Sequence, residues 1–377
     1  MSDATPEALR ALGGLKWTGH DSDVLAAWVA EMDYGLAPAI ADALHAAVDR
    51  GNTGYHYPAA VDAASSAAVD FWSDRFGWEV DPALVYPVPD VIEGIRRAIV
   101  HLTAPGSGVV LHTPVYFPFF SMVERAGRSI VEAPSSRDGE GRYTLDLEGI
   151  EKALAGGAGS IVLCNPWNPT GRSFSAKEIE AVLDVARARG ARVITDEVHA
   201  PLTLAGATHT VAAGIDPDVI TVTSASKAWN LPGLKCAQVV LTKPADRRIW
   251  EDYFTPDTVG VGTFGLIANA AAYSESRGWL DEVLFRLEAN RQLLGELVAG
   301  LPDVGYFPPE ATYLAWLDFT KHELGDPAEF LLEKGRVALT GGAPFGQGGE
   351  HHARLNFATP AAVLTQIVER IGEALAR

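Results

Sequence analysis

The run Thr221-Val222-Thr223-Ser224-Ala225-Ser226-Lys227-Ala228-Trp229-Asn230 closes a β-branched, strand-like stretch with two serines and a lysine. Strand ends are the usual address of chemistry in α/β folds. A lysine placed there can form a Schiff base with an aldehyde once its ammonium loses its proton. Hydroxyls one and three residues before it suit a phosphate. By itself Ser-x-Ser-Lys is unspecific and reads equally as a polar loop with a solvated lysine. Other strand-like runs supply partners. Ile161-Val162-Leu163-Cys164 leads into Asn165-Pro166-Trp167-Asn168-Pro169-Thr170-Gly171, which offers the Asn168 amide. Val193-Ile194-Thr195 ends in Asp196-Glu197, and Asp196 can pair with a cationic ring nitrogen. Lys235 can add positive charge beside a phosphate. A Schiff-base lysine, a pyridinium partner and a phosphate cup are what pyridoxal 5′-phosphate (PLP) requires. Each member has an ordinary reading: a cap or turn for Asp196, a turn for Asn168-Pro169, solvent for Lys235. The joint pattern on alternating strands outweighs them.

These residues need a scaffold, and the hydrophobic periodicity predicts one. Helices are expected over 38–50, through Val61 to Trp72, from Asp90 to Leu102, after Ser175, from Trp279 to Leu297, near 327–335 and from Ala361. Ser175 and Glu178 form a capping-box pattern, and Asp90 with Glu93 a second. Unbroken apolar strands are expected at 109–111, 161–164, 193–195, 219–223 and 238–241. Short apolar strands between amphipathic helices predict an α/β fold with a mostly parallel sheet flanked by helices. Strand-like 313–317 and 354–357, with the helices around them, predict a smaller α+β domain. The expected division is an N-terminal segment, 1–47, packing with the small domain; a large domain, 48–275; and a small C-terminal domain, 276–377.

The totals exclude several classes. The formal net charge of −18 argues against nucleic acid or an anionic membrane as partner. No stretch approaches the roughly 20 apolar residues that span a bilayer. The first residues lack a secretion signal's basic start and apolar run. Cys164 and Cys236 cannot build a disulfide framework, so a reduced, cytoplasmic setting is expected.

The motifs Asn165-Pro-Trp-Asn-Pro-Thr-Gly171, Asp196-Glu-Val-His199, Ser224-Ala-Ser-Lys227 and Arg354-Leu-Asn356 together resemble the fold-type I PLP enzymes of the class I/II aminotransferase superfamily. Trp28-Val-Ala-Glu-Met-Asp-Tyr34, Gly54-Tyr-His-Tyr57, Arg75-Phe-Gly-Trp78, His112-Thr-Pro-Val-Tyr116, Ala271-Ala-Tyr273 and Trp279-Leu-Asp281 are similar to its cystathionine β-lyase (C–S lyase) branch. His199 fits that branch, since many aminotransferases carry tyrosine there. The resemblance implies that Lys227 holds the cofactor and moves the Cα proton, with Asp196 on the pyridine nitrogen. It implies that Asn168 and His199 contact the ring's phenolic oxygen and that Tyr116 stacks on the ring. Ser224, Ser226, Lys235 and the N–H groups of Val91 and Ile92 would hold the phosphate. Arg354, with Asn168, would receive the substrate α-carboxylate. Tyr55 would reach the phosphate of the neighbouring subunit, which implies a homodimer with shared sites.

Two positions depart from the pattern. Asp90 stands where a small or neutral residue usually adjoins the phosphate, and Glu31 replaces a more common aspartate. The expected reaction is β-elimination from cystathionine or another S-substituted L-cysteine. The alternatives are an aminotransferase using an amino acid and a 2-oxo acid, and a PLP-binding regulator or inactive scaffold. Gly260-Val-Gly-Thr-Phe-Gly265 matches a dinucleotide fingerprint but lacks the surrounding βαβ pattern. His351-His352 lacks a third ligand at metal-binding spacing, so no metal is expected. His56 and Trp167 fall near the proposed site in this reading, and ordinary loop packing accounts for either at least as well.

Overall fold

The computed structural model describes residues 4–55, 57–139, 141–254 and 260–377. Seven strands form its main sheet: β1 (Val85–Val88), β2 (Gly108–Thr113), β3 (Ile130–Pro134), β4 (Ala158–Cys164), β5 (Arg192–Asp196), β6 (Ile220–Thr223) and β7 (Ala237–Val240). Their order is β1-β7-β6-β5-β4-β2-β3. Pairing is parallel from β6 through β3, while β7 runs antiparallel to both its neighbours. β2 and β6 are buried along their whole length, which is why they read as unbroken apolar runs. In register, Cys164 pairs with Asp196 and Asp196 with Val222. The carboxyl ends of β4, β5 and β6 therefore lie side by side, and the three chemistry-bearing loops leave the sheet together.

Helices cover the sheet and lead away from it. The principal ones are α1 (Pro38–Asp49), α2 (Pro58–Phe76), α3 (Val91–Leu102), α4 (Ala176–Ala188), α5 (Thr263–Glu275), α6 (Arg277–Ala299) and α7 (Ala361–Leu375). The box at α4 forms as the spacing predicts: Glu178 N–H donates to Ser175 Oγ and Ser175 N–H to Glu178 Oε2. At α3 the cap forms without the box. Asp90 Oδ1 accepts the Glu93 N–H at 2.8 Å, but the Glu93 carboxylate turns to Arg96 and Arg97. Gly94 lets α3 lie close on the sheet, since a Cβ there would come within 2.9 Å of the Val222 side chain. Gly265 falls inside α5, where a Cβ would collide with the Leu234 carbonyl. That glycine serves packing against the turn before Lys235 rather than nucleotide binding.

Beyond α5 lies a four-stranded antiparallel sheet of β8 (Gly305–Tyr306), β9 (Leu314–Asp318), β10 (Thr340–Gly341) and β11 (His352–Asn356), in the order β8-β9-β11-β10. α6 and α7 pack together beside it. The 327–335 helix is short, Pro327–Phe330, and continues as a π-helical turn, Leu331–Gly335. Leu25–Ala26 pair in parallel with Val337–Ala338, so the N-terminal segment lies against this region. Glu310 ties the two sheets' surroundings together: its carboxylate accepts from Arg142, from the buried Arg172 and from the Ser173 N–H.

Several elements escape the periodicity. β1 contains Pro87, tolerated because β1 is an edge strand. β3 is the other edge and mixes polar with apolar residues. α5 is apolar almost all round and shows no single face. Among the described residues no helix is long and apolar enough to cross a membrane.

Candidate active site

The carboxyl ends of β4–β6 and the start of α3 enclose a cavity of about 350 Å³. Lys227 enters it from the turn after β6. That turn is fixed by Ser224, whose hydroxyl donates to the Cys236 carbonyl at 2.7 Å and accepts the Ser226 N–H at 3.0 Å. Two residues on, the buried Trp229 donates its indole N–H to the Ser276 carbonyl and packs edge-on against Phe71 and Tyr273. The lysine is thus held on both sides in sequence. Its Nζ donates to the Ala30 carbonyl at 3.0 Å. Desolvation, helped by the Arg354 charge and opposed by Glu31 and Asp196, lowers its pKa to about 8.

Asp196 is buried at the end of β5, with Oδ1 accepting the Val198 N–H at 3.0 Å. Burial raises its carboxyl to about 7, against the opposing pull of Val198 N–H and Lys227. His199 is buried too, and its Nδ1 has no partner among the described residues. Burial first, then the charges of Lys227 and Arg354, hold its pKa well below the ordinary value, so the ring is neutral. Asn168 Oδ1 accepts from Arg354 Nη1 at 3.0 Å, which leaves the amide N–H₂ as the donor for the cavity. Tyr116 also lines the cavity, half-buried, with burial raising its hydroxyl.

At the α3 end, Ser226, Lys235, Val91 and Ile92 share the wall with Asp90. The first N–H groups of a helix have no intrahelical acceptor, which leaves those of Val91 and Ile92 suited to an anion. Lys235 Nζ sits 3.0 Å from Asp90 Oδ2, with the two side chains 60% and 39% exposed. The expected repulsion from Asp90 is therefore partly absorbed: one oxygen caps α3, the other meets Lys235. Ser224 is committed to the Cys236 carbonyl, so Ser226 has the freer hydroxyl of the pair.

Tyr55 and Trp167 do not line this cavity. Tyr55 is fully exposed and lines a separate surface groove with residues 261–264. His56 lies outside the described residues. Trp167 is buried and donates to the Pro114 carbonyl at 2.8 Å, away from the cavity. The ring of His352 stacks on Trp316.

What the residue types did not announce is a strap, residues 28–33, gripped through its backbone. The Trp28 carbonyl accepts from Arg354 Nη2 at 3.1 Å and Thr340 Oγ1 at 2.8 Å. Asn356 Nδ2 donates to the Val29 and Glu31 carbonyls. Tyr313 OH joins Lys227 on the Ala30 carbonyl, at 2.8 Å. Asn230 bonds both the N–H and the carbonyl of Met32. The only sequence signal was the Trp28–Tyr34 motif, because carbonyl groups carry no residue signature.

The residues fit PLP. A fully buried carboxylate whose one cationic neighbour among the described residues is Lys227 calls for a second positive partner, which a protonated pyridine nitrogen would supply. The unpartnered His199 Nδ1, the Asn168 amide and a lysine amine of lowered basicity complete the donor set.

Comparison with known proteins agrees. A family model described as aminotransferase class I and II matches residues 24–371. Cystathionine beta-lyase of Corynebacterium glutamicum is 39% identical over 374 residues, covering 98% of each chain. The crystal structure of cystalysin from Treponema denticola, which contains PLP, superposes with a TM-score of 0.92 at 27% identity, covering 100% of this chain and 98% of that one. The PLP-bound C–S lyase of Staphylococcus hominis gives 0.90 at 25% identity, covering 98% and 97%.

Proposed function

This chain belongs to the aminotransferase class I and II family, and from that premise we propose that it is a PLP-dependent carbon–sulfur lyase. It cleaves cystathionine or another S-substituted L-cysteine by β-elimination, giving thiol, pyruvate and ammonia. The observation that carries this reading over amine transfer is the near full-length similarity to lyases at up to 39–40% identity. Bound PLP supplies an electron sink for the pair released when the substrate loses its Cα proton.

The chain's residues do the rest. Lys227 would hold the cofactor and, as a free amine, would take the substrate's Cα proton. A pKa near 8 leaves a useful share of neutral amine at neutral pH. Asp196 keeps the ring nitrogen protonated by charge pairing. Asn168 and His199 present hydrogen-bonding groups to the ring oxygen, and Tyr116 covers a ring face. Ser226, Lys235 and the Val91 and Ile92 N–H groups would hold the phosphate, with Ser224 fixing the turn that presents Ser226. Arg354 takes the substrate α-carboxylate in its planar fork, oriented by Asn168. Holding the carboxylate there would fix the substrate's orientation relative to Lys227. Tyr55, exposed on this chain, reaches the phosphate of a second copy in a cytoplasmic homodimer. Residues 1–47, 48–275 and 276–377 act as N-terminal segment, large domain and small domain.

The test is to mix purified holoprotein with cystathionine and no keto acid. Thiol and pyruvate are expected in equal amounts. Their absence, with amine transfer when a keto acid is added, would replace the lyase reading with the aminotransferase one.

A further inference from the structure

One charged pair lies outside the cavity yet bears on it. Lys16 Nζ is 2.8 Å from Asp33 Oδ2, and the two side chains are only 3% and 4% exposed. Lys16 also donates to the Glu31 carbonyl at 3.2 Å. Trp17 Nε1 donates to Asp33 Oδ1 at 2.8 Å, and Trp28 Nε1 to the Lys16 carbonyl at 3.0 Å. The Asp33 N–H donates to the Ala358 carbonyl at 2.9 Å. The N-terminal helical turn Leu15–Thr18 thereby clamps the strap at Trp28, Glu31 and Asp33, on either side of Ala30. A buried ion pair is a poor source of stability compared with well-packed apolar residues. What this pair adds is a fixed path for the chain between its two grips.

We propose that Lys16 and Asp33 are positioning residues for Lys227: their buried pair sets the path of the strap so that the Ala30 carbonyl caps the lysine amine and keeps water from it. The inference rests on Lys227 being the reacting amine, not on which substrate bond breaks. Loss of water is the largest influence on the basicity of Lys227. The charged and titratable groups that face it are Arg354 from β11, Asp196 and His199 from the end of β5, and Glu31 from the strap, with Tyr313 sharing its acceptor. Changing Lys16 or Asp33 replaces none of these groups, and of them only Glu31 rides on the strap itself. Loosening the strap admits water, and the lysine moves back toward its ordinary basicity.

The experiment uses the full-length chain stripped of cofactor. Lys227 is labelled with trinitrobenzenesulfonate across a pH series and quantified by peptide mass spectrometry. In the unaltered chain the labelling midpoint is expected near pH 8. In Lys16→Met and Asp33→Asn it is expected to rise by about one unit, as rehydration of a buried lysine requires. Lys16→Arg keeps the charge and is expected to retain the original midpoint. If a single variant does not fold, Lys16→Ala with Asp33→Ala removes the grip without leaving a lone buried charge and should show the same rise. An unchanged midpoint in folded variants overturns the proposal and leaves the reading of the reaction intact. Failure of the unaltered chain to form pyruvate would sink that reading and leave the midpoints measurable.

Discussion

The strand ends of the main sheet and the strap of residues 28–33 meet at Lys227 Nζ, and they are built on opposite plans. The strand ends offer side chains. Asn168, Asp196, Ser226 and Lys227 each leave a strand that is buried on both faces, so the sheet fixes where they point. The strap offers peptide groups. Its carbonyls at Trp28, Val29, Ala30 and Glu31 are taken by side chains arriving from elsewhere in the fold. One region owns its chemistry through residue type; the other borrows its shape from its partners. Substitution at a strand end should therefore remove a chemical step. Substitution around the strap should change how well the step is set up.

The largest test of that contrast is Lys227→Ala. We expect turnover to fall by about 10³- to 10⁴-fold, the worth of a positioned general base, and the absorption band of the covalently held cofactor to vanish. A persisting band would end the assignment. Arg354→Lys probes the strap side. Lysine keeps the charge but loses the fork that spans Asn168, Trp28 and the proposed carboxylate. The expected loss in kcat/KM is about 10- to 100-fold, with KM moving more than kcat. A kcat collapse matching Lys227→Ala would erase the distinction between the two regions.

Asp196→Asn sharpens the strand-end half through pH. In the cofactor-free chain the buried Asp196 holds its proton up to about pH 7, whereas the unfolded chain releases it in the ordinary carboxylate range. Between those limits the folded state binds more protons, so stability falls as pH rises. The asparagine variant should lose that part of the slope, at most about 1.4 kcal/mol per pH unit, in thermal melts across pH 4–8. The smallest effect is expected from Asp90→Asn. Asparagine still caps α3 and releases Lys235 from an exposed pair, so cofactor affinity should rise by less than about fivefold. Weaker binding would show that Asp90 helps to hold the phosphate corner.

The sequence made these two regions unequally visible. Lys227, Asp196 and Asn168 follow unbroken apolar runs, and a strand read from such a run says at once where its last residue leaves the sheet. β1 and β3 were not readable that way, because edge strands tolerate Pro87 and mixed polarity. α5 was not readable because an evenly apolar helix has no face. Around the strap the difficulty is physical. Nothing in the type of Ala30 tells that its carbonyl meets a lysine, and Lys16 looks like any solvated lysine until the fold closes over it. The Asp90 departure was visible, but its resolution was not: one oxygen turns to the helix and the other to Lys235 only once the fold brings them together.

One consequence follows from the two cysteines. Cys236 lines the cavity and Cys164 ends β4 beside Asp196, and both are buried. Burial pushes the Cys236 thiol up to about 12 and holds Cys164 well above its ordinary value. Exchange with disulfides needs a thiolate that can be reached. An enzyme that liberates sulfur compounds at this cavity thus keeps its own buried sulfur atoms protonated, which slows their exchange with its product and the oxidised forms of that product.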